Sequence, residues 1–178
     1  LNDANQVLRN MQEIARLTLS SLDRQQIVEN LSRQLVDAGV LRGLSFSLVD
    51  HQAHRVVVVG GHRQVGGQAG KTANEIDISY DLNDPDILAE TARTGQMQIA
   101  IEEDERFTEV ETGKRHTGQV AYFIPIKAHD EVLAVIATGS TVQEKEQTTH
   151  RLIGLQPLWD QVAVALSNAA LFESAQEE

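Results

Sequence analysis

Cysteine is absent from all 178 residues, so chemistry in this chain has to come from a short set of other side chains. The absence removes disulfides, thiol nucleophiles, cysteine-ligated zinc and thioether-linked cofactors together. Six histidines remain, at positions 51, 54, 62, 116, 129 and 150. Neutral imidazole is the commonest nitrogen ligand of metals, yet the spacing contains no His-x-x-x-His or His-Glu-x-x-His pair. His51, His54 and His129 fall in turns, and His150 precedes Arg151-Leu152-Ile153 at a helix start without the prolines and acidic neighbour of a phosphoacceptor helix. The run Glu102-Glu103-Asp104-Glu105 lacks the alternating oxygen ligands and following glycine of a calcium loop, and reads as a solvated face. Gly60-Gly61 and Gly66-Gly67 lack the lysine and hydroxyl residue of a phosphate cradle. No nucleophile, base and orienting group occur as a set. The expectation is therefore no catalytic residue, no metal and no cofactor.

What remains is a set suited to holding a small molecule. Ser45 and Ser47 are the polar positions of the otherwise apolar strand 44–49. Two readings of them stand: they line a pocket, or they face solvent on a half-exposed strand. Phe107, His116 and Tyr122 add aromatic and hydrogen-bonding groups of the kind that line pockets, and are open equally to a minor-core role. His62 opens a glycine-rich stretch, 62–73, that reads as a loop long and polar enough to close over a sheet face.

These residues must be positioned by elements whose hydrophobic periods are legible. Leu8, Met11, Ala15, Leu19 and Leu22 recur at helical spacing, and Asp23 followed by Gln26 marks the cap of a second helix ending before Gly39. Residues 44–49 alternate, and 55–60 form a β-branched run, giving a hairpin; a short strand is expected at 75–80. Asp84-Pro85 predicts a helix start and Gly95 its end. A strand at 97–101 and a second hairpin, 119–127 with 131–141, follow. In the last segment Leu155, Leu158, Val162, Ala165, Ala169 and Phe172 keep heptad spacing, while Leu152, Trp159 and Leu166 form a second apolar line. Either one line serves a partner helix, or both form one broad core-facing stripe.

Length fits one domain, 1–178, with 1–22 as an N-terminal linker or dimer helix and 150–178 as a C-terminal signalling helix. Fifteen Lys plus Arg against 26 Asp plus Glu give a net charge of −11, which repels phosphate backbones and anionic headgroups, so nucleic acid is not an expected partner. No apolar run reaches the roughly 20 residues of a membrane helix, and no insertion into a bilayer is expected. The start at Leu1 and the end inside a helical pattern read as a fragment of a longer chain, expected in the cytoplasm.

The segments Glu13-Ile-Ala-Arg-Leu to Leu22-Asp23, Leu44-Ser-Phe-Ser-Leu-Val-Asp50, Ala89-Glu-Thr-Ala-Arg-Thr-Gly95, Tyr122-Phe-Ile-Pro-Ile126 and Gln161-Val-Ala-Val-Ala-Leu-Ser-Asn-Ala-Ala-Leu171, in this order, resemble a GAF domain over nearly the whole chain. The resemblance implies an α+β fold with a central antiparallel sheet of about six strands, terminal helices on one face and a small-molecule pocket on the other. It places Ser45 and Ser47 on the pocket face. GAF domains sit in sensor kinases, cyclic-dinucleotide enzymes, phosphodiesterases and transcription regulators, often as parallel homodimers. The chain departs from several subfamilies. Without cysteine it cannot attach a bilin covalently or perform the thiol chemistry of the methionine-sulfoxide-reducing members. The Asn-Lys-Phe-Asp-Glu set of cyclic-nucleotide binders is not visible, Phe107 being followed by Thr-Glu-Val-Glu-Thr. The expected function is a non-catalytic sensory module of a signalling protein such as a two-component system. It would bind an unknown small molecule non-covalently at Ser45, Ser47, His62, Phe107, His116 and Tyr122, and pair as a homodimer through its terminal helices. The alternative is a ligand-free structural dimerisation domain.

Overall fold

The computed structural model describes residues 2–65, 68–71, 78–101, 104–106 and 118–177. Two amphipathic helices open the chain, α1 (Asn2–Leu19) and α2 (Arg24–Asp37). Asp23 caps α2 as its sequence position predicts, its carboxylate accepting from the Gln25 N–H at 2.9 Å. Strands β1 (Gly43–Asp50) and β2 (Arg55–Val65) form the first hairpin, followed by β3 (Gln68–Lys71) and β4 (Ser79–Asp81). Helix α3 (Ile87–Thr94), strand β5 (Gln98–Ala100) and the hairpin β6 (Gln119–Ala128) and β7 (Glu131–Thr141) lead to the last two helices, α4 (Lys145–Gly154) and α5 (Gln156–Glu177).

All strands pair antiparallel in one seven-stranded sheet of order β3-β2-β1-β7-β6-β5, with β4 also on β2. The fold is α+β. The strand beyond the expected set is β3. The expected loop at 62–73 is replaced where it is described, because β2 continues to Val65 and β3 folds back on it. The first half of the expected strand at 75–80 lies outside the described residues, and β4 occupies its end.

The helix after Asp84-Pro85 starts later than the sequence suggests. Asp84 is spent on a turn, accepting from the Asp86 N–H at 2.9 Å, and Asp86 is the cap, accepting from Leu88 at 2.8 Å. Gly95 ends α3 in the left-handed conformation at φ +65°, which glycine adopts without the steric penalty a Cβ imposes.

Two cores flank the sheet. On one face α1, α2 and α5 pack on Leu44, Phe46, Tyr122, Ile124, Ile126 and Ile136. On the other, α3 packs through Ile87, Leu88 and Ala92 on Val56, Val58, Phe123, Val132 and Val135. The C-terminal helical segment breaks at Leu155, between Gly154 and Pro157, and its two apolar lines are buried up to Ala169, through Leu155, Leu158, Val162, Ala165 and Ala169 together with Leu152, Trp159 and Leu166, while Phe172, the last residue of the first line, is exposed. The broad core-facing stripe is what the structure contains. Exposed apolar side chains on α5 are instead Val164, Leu171 and Phe172, at 54%, 70% and 42%. Arg24 and Glu173 pair at 2.8 Å, tying the end of α5 to the start of α2.

Candidate functional site

The sheet face beneath α3 is built by strand parity. Ser45 stands between Gly61 on β2 and Ala137 on β7, and Ala121 on β6 stands opposite Gly139. Directly opposed residues of antiparallel strands share a face, so Gly61, Ser45, Ala137, Ala121 and Gly139 make a floor of small residues, interrupted on β6 by Phe123, which stands opposite Ala137. One row along, Ser47 lies between Val58 and Val135, inside the core beneath α3. It is 1% exposed, and its hydroxyl has no hydrogen-bond partner among the described residues. An unpaired buried hydroxyl costs about 1–3 kcal/mol, so this oxygen is an unmet demand on the α3 side of the sheet. Ser45 is half-buried.

One wall of this face is an ionic cluster. The Arg106 guanidinium takes Asp104 through Nε at 3.0 Å and Nη2 at 2.7 Å, and through Nη1 takes Glu90 of α3 at 2.6 Å and Gln98 of β5 at 3.0 Å. The Arg106 carbonyl also accepts from the Ile87 N–H, at the first residue of α3. Hydrogen bonds from Arg106 hold the Asp104 carboxyl below the ordinary carboxylate range against the opposing effect of burial. The same bonds to Asp104, and then to Glu90, raise the already high guanidinium value further. Arg106 is therefore a brace between α3, β5 and the segment 104–106, with four of its five guanidinium N–H groups on protein acceptors.

Of the six residues expected to line a site, Ser45 and Ser47 share this face. Tyr122 does not. It is fully buried on the helical side, its hydroxyl 2.8 Å from Ser140 Oγ and 3.4 Å from the Lys145 carbonyl, where it joins β6 to α4. His62 pairs across from Leu44, whose side chain lies in the helical core, so it too belongs to the other face. The cause is a bulge between Phe46 and Ser47, which shifts the β1–β2 register by one residue and turns His62 away from the serines. Phe107 and His116 lie outside the described residues. Sequence reasoning did not single out the brace of Arg106, Glu90 and Gln98, or the small floor residues. A signal for the floor existed in Ala137 and Gly139, two small residues at the same parity of β7.

Among the described residues no three His, Asp or Glu side chains are placed to hold a metal ion, and no helix is long and apolar enough to cross a membrane.

An antiparallel sheet with terminal helices on one face and a short helix over the other defines an α+β architecture. More narrowly, the chain has the GAF-domain fold. It is similar to the GAF domain of an Acinetobacter phosphoenolpyruvate-protein phosphotransferase, with TM-score 0.68, 14% identity and coverage of 94% of this chain and 97% of that one. It is also similar to the nlh2 GAF domain of A. aeolicus in an inactive state, with TM-score 0.71, 10% identity and coverage of 92% and 97%. Free methionine-R-sulfoxide reductase of Neisseria meningitidis, in complex with its substrate, matches with TM-score 0.69 at 11% identity over 93% and 90%. No family model and no curated protein sequence matches the chain.

Proposed function

We propose that the chain is a non-catalytic regulatory module that binds a small molecule on the α3 side of its sheet and relays occupancy through α1 and α5 to an output domain. The observation that carries this reading is the Ser47 hydroxyl, buried without a partner among the described residues on the same face as the small-residue floor around Ser45. A ligand there would meet β1, β6 and β7, whose alternate residues Phe46, Tyr122, Ile124 and Ile136 pack on the opposite side in the core that includes α5. The strands thus give a direct mechanical path between the two faces. Similarity to GAF domains, one of them from a phosphotransferase, supports a regulatory role, and the absence of cysteine argues against thiol chemistry. The module would act in the cytoplasm as a homodimer.

Native mass spectrometry of the purified chain tests the reading. A retained small molecule is expected, and Ser45→Leu, which adds bulk at the half-buried floor position, should release it while circular dichroism stays unchanged. Ser45→Leu with Ser47→Leu should do the same. A folded variant that still carries the molecule, or a wild-type chain that carries none under any growth condition, overturns the proposal.

A second reading, ligand-free dimerisation, is favoured by the exposed Val164 and Leu171, seven residues apart on one stripe of α5 beside Phe172. Sedimentation at micromolar concentration separates the two: a dimer that Leu171→Glu dissociates, with nothing bound, favours it.

A further inference from the structure

A concavity of about 320 Å³ lies at the hairpin end of the sheet, between the last turn of α3, the β6–β7 hairpin and the β1–β2 turn. Its size is at the lower end for small-molecule sites. None of its lining residues belongs to the floor around Ser45.

The polar groups of this cleft divide by whether they are already bonded. His51 Nε2 lies 2.7 Å from the Val132 carbonyl and 3.3 Å from Glu131 Oε1. A carbonyl only accepts, so Nε2 carries the proton and the ring is fixed as a wall. Arg93 is anchored to the turn before α3, its Nη1 donating to the carbonyls of Leu82 and Asp84, and its guanidinium adds positive charge beside the cleft. By contrast, the Lys127 ammonium and the Asp130 carboxylate line the cleft with no hydrogen-bond or ionic partner among the described residues.

The backbone adds acceptors. Helix α3 ends here, with the Gly95 N–H on the Thr91 carbonyl, and the carbonyls after Thr91 present the negative end of the helix. Gly95 keeps this end open. A Cβ there would lie 3.0 Å from Lys127 Cδ and 3.6 Å from Nζ, so a side chain would press on the lysine that crosses the helix end.

We infer that this cleft binds a small zwitterion, a molecule that carries an ammonium and a carboxylate close together as a free amino acid does. The carboxylate pairs with Lys127, and the ammonium with Asp130, Glu131 and the terminal carbonyls of α3. A simple anion would meet two carboxylates, a helix C-terminus and the field of a chain of net charge −11. A simple cation would meet Lys127 and Arg93. A ligand bearing both signs matches both unpaired groups at once, and charge mismatch rejects the others. Recognition here is independent of the sheet-face reading.

Titration calorimetry with individual L-amino acids as probes, and acetate and methylammonium as single-charge controls, tests the inference. At least one amino acid is expected to bind with Kd below about 10 mM. Lys127→Met and Asp130→Asn, both at exposed positions, should each weaken it by roughly tenfold, with circular dichroism unchanged. Ser45→Leu should leave binding intact. The inference is overturned if no amino acid binds, if either control binds as tightly, if either cleft variant binds undiminished, or if Ser45→Leu abolishes binding.

Discussion

Replacing Trp159 by alanine tests how the C-terminal helices are held. The indole is 1% exposed in the helical core, and its Nε1–H donates to the Leu152 carbonyl at 3.2 Å, bridging the break between α4 and α5. Removal of a fully buried tryptophan side chain costs about 3–5 kcal/mol, from lost transfer energy and the cavity left behind. The upper part of that range is expected, because the helical core to which Trp159 belongs contains Leu152, Leu155, Tyr122 and Ile126, themselves fully buried, and has little freedom to collapse inward. The Leu152 carbonyl also accepts from the Leu155 N–H at 3.3 Å, so loss of the indole donor does not orphan it. Lost packing therefore accounts for most of the destabilisation, and Trp159→Phe should cost only about 1–2 kcal/mol. For a chain of this size each kcal/mol shifts Tm by about 2–4 °C, so Trp159→Ala should lower Tm by on the order of 10 °C in a calorimetric scan. An unchanged midpoint would refute the assignment of Trp159 to the core. Equal losses for alanine and phenylalanine would show that the hydrogen bond, not the ring volume, secures the helix break.

Two further outcomes follow from the cluster and the cap. The Asp104 carboxyl is held below its ordinary value by Arg106, so its contribution to stability is fully present above the unfolded-state value of about 3.9 and is lost as pH falls through the lower folded value. In urea titrations Asp104→Asn should be less stable than wild type at pH 7, and the gap should close in the acid limb; a gap constant down to pH of about 2 contradicts the ion-pair account. Gly95→Ala should cost about 1 kcal/mol for the left-handed backbone alone and more through contact with Lys127 Cδ, read as a lower urea midpoint with unchanged slope; a neutral result would mean the helix end relaxes freely.

The elements were readable where one face alone is apolar or a turn residue has one role. The β6–β7 hairpin is such a case, with His129 at φ +58° in a two-residue turn and strand ends within a residue of their expected places. The cap of α3 was harder, because Asp84 and Asp86 both suit a cap and proline between them favours either; only the three-dimensional turn decides. The site suffered most from parity. Every residue from Val120 to Ile126 is apolar, so nothing in β6 says which face Tyr122 takes. His62 depended on a single-residue register shift. The signal was present in Gly60-Gly61, since paired glycines within a strand often mark a bulge, but a glycine pair equally suits a loop. Arg106 reads in sequence as one charge in an acidic stretch, and its joining of α3 to β5 is a long-range fact.

The central place of β1 also governs how the chain can assemble. Its first neighbour, β2, arrives through a short turn, but its other neighbour is β7, and the Thr138 hydroxyl that closes on the Gly43 carbonyl at 2.6 Å is 95 residues away. Until β7 is made, β1 is an open edge with Phe46 uncovered, and the last cover, α5, comes later still. Contacts of such separation carry a large loop-closure cost before any reward, which makes folding slow. A nascent chain halted before β7 would expose a hydrophobic strand edge of the kind that recruits chaperones or aggregates.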